Sequence, residues 1–256
     1  MTLLIAVADT VADRELVISA RCLANAAGWD ARAVHVREAG APELDRDAAD
    51  DLEIVDLVGE AGAELARLVG KADVDAVGLG LRTAAAPGIG HVTQELLEHP
   101  SAPLLLVRPG MRPLTTLRRL VVPLEGSPSA SAAMLHADGA LCARGREIVM
   151  LHVVTKSTPR ERGSFPAPRI VDQEHYEWSA WQDEFCMRFS QCPEGGRHRV
   201  CLRVGEPAPT IVKEANAVGA ELIVLSWKGS FAEGHGAVVK ALLDTAPCPL
   251  LIVPAG

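Results

Sequence analysis

The feature that most constrains this sequence is an internal repeat. Residues 4–36 match the chain 117 residues further on without a gap, so that the apolar run LIAVA falls on VVPLE. Residues 53–110 match the chain 146 residues further on, again without a gap, and Pro103-Leu104-Leu105 falls on Pro249-Leu250-Leu251. The two offsets differ by 29 residues, which predicts an insertion of about that length in the second copy. A repeat on this scale indicates two copies of one folding unit.

The repeat divides the chain into a first domain over residues 1–110 and a second over 116–256. The chain has 256 residues, 48% hydrophobic and 23% charged, which is typical of globular domains. The insertion, at about 155–197, opens Pro-rich and then contains most of the aromatic residues. Trp178, Trp181, Phe185 and Phe189 have helical spacing, so we expect a helix that packs its aromatic face on its own domain. A lid over a ligand and a subunit contact are the alternatives.

Apolar runs with strand character alternate with helical periodicity in each copy, which predicts a five-stranded, mostly parallel sheet covered on both faces. The predicted strands of the first copy are 3–8, 31–37, 54–58, 76–79 and 104–107. Those of the second copy are 120–124, 148–154, 200–204, 222–225 and 250–253. The last strand of each copy is a short apolar edge, so we expect the two to lie side by side and antiparallel.

Charge and cysteine content bear on partners and location. The formal net charge of −8 and the pI near 5.5 disfavour nucleic acid and anionic membranes as partners. The amino-terminal run lacks a basic region and soon meets Asp9, so it predicts neither a signal peptide nor a membrane span. Six cysteines without a CxxC pair suggest reduced thiols in the cytoplasm. No metal site is predicted, because Cys186, Cys192, Cys201 and His198 match no zinc-ligand spacing.

Glycine-containing loops follow the first and fourth strands of the second copy. In an open parallel sheet, ligands bind beyond the carboxyl ends of the strands where the strand order reverses. Those ends hold Leu124-Glu125-Gly126-Ser127 and the run from Leu225 to Gly229, followed by Gly234-His235-Gly236 at a helix start. Backbone N–H groups at such turns can hold a phosphate, and Lys228 would add positive charge. The glycines also suit tight turns without any ligand.

The chain as a whole resembles a tandem universal stress protein. The second copy carries the resemblance in VVPLEGSPSASAAM, LHVV, RVGEPAPTIVKEANAVGAELIVLSWKG and TAPCPLLIVP. The first copy shows it in IAVADT, VHV, LVGEAG, VDAVGLGLR and EHPSAPLLLV. The resemblance covers nearly all of the chain except the insertion at 155–197. The resemblance implies two adenine nucleotide α-hydrolase-like α/β domains with strand order 3-2-1-4-5. It also implies association through the last strands, within the chain or as a homodimer.

In one subclass the family holds ATP with the motif G-x2-G-x9-G-[ST], and both copies depart from it. The second copy has Ser226-x2-Gly229-x6-Gly236-Ala237, and the first has Gly80-x2-Thr83-x6-Gly90-His91. The family's acidic residue after the first strand matches Glu125 in the second copy and Ala8 in the first. Residues 1–110 also carry 18 acidic and 9 basic side chains, a balance that repels a triphosphate. Any nucleotide site is therefore expected in the second copy.

We accordingly expect a cytoplasmic stress-response protein with a binding or regulatory role. If ATP or another adenine nucleotide binds, the resemblance places Val153 near the base and Glu125 near the ribose or a metal-bound phosphate. It places the phosphates at Gly229, Gly236 and the N–H of Ala237. The full predicted site comprises Glu125, Gly126, Ser127, Val153, Leu225, Lys228, Gly229, Gly236, Ala237 and Val238.

Two alternatives from other functional classes stay open. Relatives of this fold include enzymes that hydrolyse or transfer nucleotide phosphate or adenylate. We expect no enzyme here, because no catalytic triad, metal-ligand pair or Ser-Gly-Gly run follows the predicted strands. The third possibility is a structural interaction protein in which both sites are vestigial.

Overall fold

A computed structural model describes residues 1–8, 13–38, 44, 53–69, 74–81, 90–124, 131–143, 145–154, 196–229, 231 and 235–255. The predicted aromatic helix of the insertion lies outside these residues, as do Glu125, Gly126 and Ser127 of the predicted site.

Strands and helices alternate along both halves of the chain, as predicted. The first half contains β1 (Thr2–Ala6), α1 (Arg14–Ala27), β2 (Asp30–Arg37), β3 (Ile54–Val58), α2 (Ala61–Val69), β4 (Ala76–Gly80), α3 (His91–Glu98) and β5 (Leu104–Val107). The second contains β6 (Arg119–Leu124), α4 (Ser131–His136), β7 (Glu147–Val154), β8 (Arg197–Val204), α5 (Pro207–Val218), β9 (Leu222–Trp227), α6 (His235–Thr245) and β10 (Leu250–Pro254). A π-helical stretch, Ala137–Leu141, continues α4.

The strands form one ten-stranded sheet in the order β3-β2-β1-β4-β5-β10-β9-β6-β7-β8. Each half has the order 3-2-1-4-5, and its strands are parallel throughout. The α/β fold is therefore confirmed, and the two five-stranded sheets join into one through the last strands, as the sequence predicted. The joint is the antiparallel pair of β5 and β10, in which Leu105 lies opposite Leu251. Each of these two strands would otherwise be an open edge of its own half, and their pairing covers both edges.

The strand registers repeat with the offsets read from the sequence. Thr2 lies opposite Asp30 between β1 and β2, and 117 residues later Arg119 lies opposite Glu147 between β6 and β7. The pairs β2–β3, β1–β4 and β4–β5 recur in the same way as β7–β8, β6–β9 and β9–β10. Because a shift of one residue would turn every side chain to the opposite face, equal registers give the two halves equivalent core positions.

A histidine bond ties the first two strands together in each half. His35 Nδ1 donates a hydrogen bond to the carbonyl oxygen of Val7 at 2.8 Å, and His152 Nδ1 donates to that of Leu124 at 2.8 Å. A carbonyl only accepts, so Nδ1 carries the proton in both rings. The bond fixes the carboxyl end of β1 against β2, and that of β6 against β7.

An acidic residue before the fourth strand of each half ties it to the first strand. Asp75 Oδ2 accepts the N–H of Thr2 at 2.7 Å, and Glu221 Oε2 accepts the N–H of Arg119 at 3.0 Å. Backbone bonds run the other way, from Asp75 N–H to Thr2 O and from Glu221 N–H to Arg119 O. The same contact therefore joins the amino ends of the first and fourth strands in both halves.

The core occupies both faces of the sheet. Helices α1 and α4 cover one face and pack on alternate strand residues such as Leu3, Ile5 and Leu120. Helices α2, α3, α5 and α6 cover the other and pack on residues such as Leu4 and Val77. The predicted two-sided covering is thus present in both halves.

Three of the described cysteines, Cys22, Cys201 and Cys248, are free thiols. Burial raises the pKa of the Cys248 thiol to about 12, which keeps it protonated and unreactive. Among the described helices, none has the length and apolarity that a membrane crossing requires.

Candidate functional site

A cavity of about 190 Å³ opens at the carboxyl ends of β1, β2 and β4 in the first half. This is the edge at which a parallel sheet with this strand order binds ligands. Its apolar wall comes mainly from the strands and α2, and its polar side from the residue before α1 and the start of α3. The wall includes Ala6, Val34, Val36, Leu65 and Leu79, and the polar side includes Asp13, Gly80, Gly90, His91 and Thr93.

Asp13 places a buried carboxylate in the cavity wall. Its Oδ2 accepts the N–H of Ala8 at 2.7 Å, and the residue is 8% exposed. A Cβ built on Gly80 would lie only 2.3 Å from Asp13 Oδ1, so the absence of a side chain at Gly80 makes room for this carboxylate. A fixed negative charge here disfavours a phosphate group.

The start of α3 forms the opposite side of the cavity. Gly90 precedes the helix with extended backbone and accepts the N–H of Gln94 at 2.9 Å. His91 is exposed, with its Nε2 3.8 Å from Glu60 Oε1, and Thr93 is buried. Hydrogen bonds from the backbone N–H groups of Ala63 and Gly62 lower the pKa of Glu60, so this carboxylate is ionised near neutral pH.

The predicted site residues of the second half occupy the repeat-equivalent positions. Shifted by the repeat offsets, described residues of that site coincide with residues that line the first-half cavity. Val153 corresponds to Val36, Leu225 to Leu79, Gly236 to Gly90, Ala237 to His91 and Val238 to Val92. The sequence thus indicated the edge of the sheet at which the described cavity opens, although it favoured the other half.

The structure brings these second-half residues to the ends of β7 and β9 and the start of α6. Val153 and Val238 are half-buried, Leu225 and Gly236 are buried, and Ala237 is exposed. Lys228 follows β9 and is also exposed. Gly229 has φ +77°, a left-handed backbone that favours glycine.

Trp227, which the sequence analysis did not single out, ends β9. Its side chain is 1% exposed, and its Nε1–H donates to the carbonyl oxygen of Leu97 in α3 at 2.5 Å. Its ring lies 4.6 Å from that of Phe231, centroid to centroid. A Cβ on Gly229 would lie 3.7 Å from Glu98 O, so the loop after β9 contacts the first half. The sequence signal for this contact was a large aromatic residue, Trp227, at the position where the first copy has Leu81.

Comparison with known proteins agrees with this architecture. The sequence model of the universal stress protein family matches residues 116–254, more than half of the chain. The chain belongs to the universal stress protein family. It is therefore a stress-response protein of the universal stress type, as the sequence resemblance predicted.

Solved structures extend the likeness to the whole chain. A universal stress protein from Archaeoglobus fulgidus DSM 4304 is 13% identical with a TM-score of 0.69, over 100% of this chain and 98% of its own. A functionally unknown protein from Pseudomonas aeruginosa PAO1 is 10% identical with a TM-score of 0.59, over 99% and 92%. At these identities the likeness concerns the fold alone. No curated protein sequence matches the chain.

Proposed function

We propose that this universal stress protein is a regulatory binding module in which an adenine nucleotide binds the second half alone. Val153 would lie beside the base and Glu125 at the ribose or a metal-bound phosphate. Gly229, Gly236 and the backbone N–H of Ala237 would hold the phosphates. The observation that supports this placement is the first-half cavity, because the residues equivalent to Glu125, Val153, Gly236 and Ala237 line it.

The second half offers the better electrostatic setting for a phosphate. Helix α6 begins at His235, and the first N–H groups of a helix have no partner within the helix and attract anions. Exposed Lys228 adds a positive charge at the end of the neighbouring strand. Both features favour a nucleotide at this end of the molecule.

The first half is a poor site for a triphosphate. Asp13 lies in its cavity wall and the ionised Glu60 at its mouth, so two negative charges face any phosphate. The volume of about 190 Å³ is also below the roughly 300–1,000 Å³ of pockets that enclose drug-sized ligands. We therefore assign the nucleotide to the second half.

Binding should be weak compared with family members whose motif is complete. A loop with six residues instead of nine between its glycines cannot follow the same path around the phosphates. Ala237 also lacks the hydroxyl that the motif supplies. A charge-assisted hydrogen bond contributes about 1.5–3 kcal/mol, so its loss weakens binding roughly tenfold to a hundredfold.

Calorimetric titration of magnesium-ATP into matched variants tests this proposal. Gly236→Asp places a negative charge in the second half, and Gly90→Asp places it at the equivalent first-half position. A Cβ on Gly90 meets nothing within 4 Å, so that variant changes charge without crowding. Because Gly236 is buried, Ala237→Asp at an exposed position serves as a second variant that should preserve the fold.

We expect binding by the wild type and Gly90→Asp, and its loss in Gly236→Asp and Ala237→Asp. Loss in Gly90→Asp alone would move the site to the first half. Absence of binding in the folded wild type would favour the structural interaction protein. Recovery of ADP, AMP or an adenylated product after the titration would favour an enzyme instead.

A further inference from the structure

Three potential metal ligands meet at the mouth of the first-half cavity. Glu38 follows β2, Glu60 precedes α2 and His91 begins α3, so three separate elements supply them. One ligand atom from each side chain lies within 4.8 Å of the other two. Because His91 also lines the cavity, the cluster and the cavity share one opening.

Backbone N–H groups already hold both carboxylates in position. Glu60 Oε1 accepts the N–H of Gly62 at 3.1 Å, and its Oε2 accepts that of Ala63 at 2.7 Å. Glu38 Oε1 accepts the N–H of Ala61 at 3.3 Å. The first turn of α2 therefore orients two carboxylates from different segments toward one place, which reduces the conformational entropy lost when they bind a common ion.

A third carboxylate adds negative charge beside this cluster. A Cβ built on Gly62 would lie 1.9 Å from Glu95 Oε2 and 3.4 Å from Glu60 Oε1, so Glu95 extends to within about 5 Å of Glu60. Among the described residues, His91 is the one basic side chain paired with Glu60. Like charges this close repel one another, and a bound cation would relieve the repulsion.

The donor set is specific to the first half. The repeat-equivalent positions of Glu60 and His91 are Glu206 and Ala237, and Glu38 lies beyond the matched residues 4–36, so the matched positions of the second half lack the histidine. The framework contacts of the sheet recur in both halves, whereas this cluster does not. The repeat scaffold therefore does not require these residues.

We propose that Glu38, Glu60 and His91 bind a divalent cation of the Zn²⁺ type at the mouth of the first-half cavity. Imidazole and carboxylate together suit Zn²⁺, whereas Mg²⁺ and Ca²⁺ prefer oxygen ligands alone. Three protein ligands leave a fourth position for water or for a polar group of a molecule in the cavity. This site is independent of the nucleotide site proposed for the second half.

The test measures Zn²⁺ binding to the metal-stripped full-length protein by equilibrium dialysis. His91→Ala introduces the residue of the second half, and Glu60→Gln keeps one oxygen that can accept the N–H of Ala63 but removes the charge. His99→Ala, an exposed histidine just after α3, is the matched control. We expect one Zn²⁺ per chain in the wild type and His99→Ala, and at least about tenfold weaker binding in the other two variants.

Co²⁺ absorption identifies the ligands independently of stoichiometry. Binding at this site gives weak visible bands that disappear in His91→Ala. Thiolate charge-transfer bands would place the ion at a cysteine and overturn the proposal. Equal Zn²⁺ affinity in the wild type and His91→Ala, or no Zn²⁺ binding by the folded wild type, would also overturn it. A failure to detect ATP binding in the separate calorimetric titration would leave this proposal intact, because the metal-binding measurements contain no ATP.

Discussion

The two halves of the molecule share a backbone framework but differ where their strands end. In the first half, the space beyond β1, β2 and β4 is a cavity with a buried carboxylate, Asp13, in its wall. In the second half, Trp227 at the end of β9 bonds to Leu97 of the first half. The same register thus places residues with different contacts at the strand ends of the two halves.

The comparison separates residues that build the fold from residues that specialise it. The hydrogen bonds that the histidines and the acidic side chains form with the first strand recur in both halves with matched geometry. The residues at and beyond the ends of the fourth strands do not recur, since Leu81 corresponds to Trp227 and His91 to Ala237. Duplicated frameworks can therefore retain stability while their loops acquire different functions.

Trp227→Leu should have the largest effect, because it gives the second half the residue of the first. Loss of the buried ring and of the bond to Leu97 should lower the free energy of unfolding by about 2–4 kcal/mol. Urea unfolding measures the loss. Trp227→Phe keeps an aromatic ring without the N–H and should cost less. Unchanged stability in Trp227→Leu would show that the contact between halves contributes little.

A reciprocal exchange at Gly80 and Ser226 tests the carboxylate of the cavity. Gly80→Ser places a Cβ within 2.3 Å of Asp13 Oδ1 and should cost about 1–3 kcal/mol by overpacking. Ser226→Gly at the equivalent strand position should cost less than about 1 kcal/mol, mainly through backbone entropy. Thermal unfolding compares the two variants. Equal losses would mean that Asp13 moves away without penalty.

Leucine substitution of the repeated histidines compares one contact in two environments. His35→Leu leaves the carbonyl of Val7 unpaired beside a buried side chain, at a cost of about 1–2 kcal/mol. His152 is only half-buried, so water can replace its bond to Leu124 and His152→Leu should cost less. Denaturant unfolding gives both values. A larger loss in His152→Leu would contradict this order.

The sequence predicted the strands and their order well, because the repeat shows the same succession of apolar runs twice. Two gap-free offsets relate each strand pairing of one half to the equivalent pairing of the other, and alternating apolar runs placed the strands within a few residues. Apolar periodicity reflects burial, which is the same in both copies.

The sequence was less informative about the site. Asp13 meets Gly80 only in three dimensions, and Glu38, Glu60 and His91 are dispersed over 54 positions. No local spacing marks such a cluster, since its members come from different elements. Trp227 was visible in the sequence, but its contact with Leu97 depends on the pairing of β5 with β10.

The smallest predicted effect concerns Glu221, which ties the segment between the halves to the second half. Partial burial alone would raise the pKa of Glu221, but hydrogen bonds from Thr116 Oγ1 and the N–H groups of Arg118 and Arg119 outweigh it and lower the pKa below the ordinary 4.5. A lowered folded-state pKa stabilises the fold above the unfolded value, and this contribution is lost as the pH falls through the folded one.

Glu221→Gln should therefore lower the free energy of unfolding by about 0.5–1 kcal/mol at pH 7, a modest amount because the group is partly exposed to solvent. The difference from the wild type should shrink as the pH falls below 4.5, where the unfolded wild-type chain takes up a proton at this site. Urea unfolding between pH 7 and pH 3.5 measures both curves. Curves that stay parallel over this range would show that the ionised form of Glu221 contributes no stability of its own.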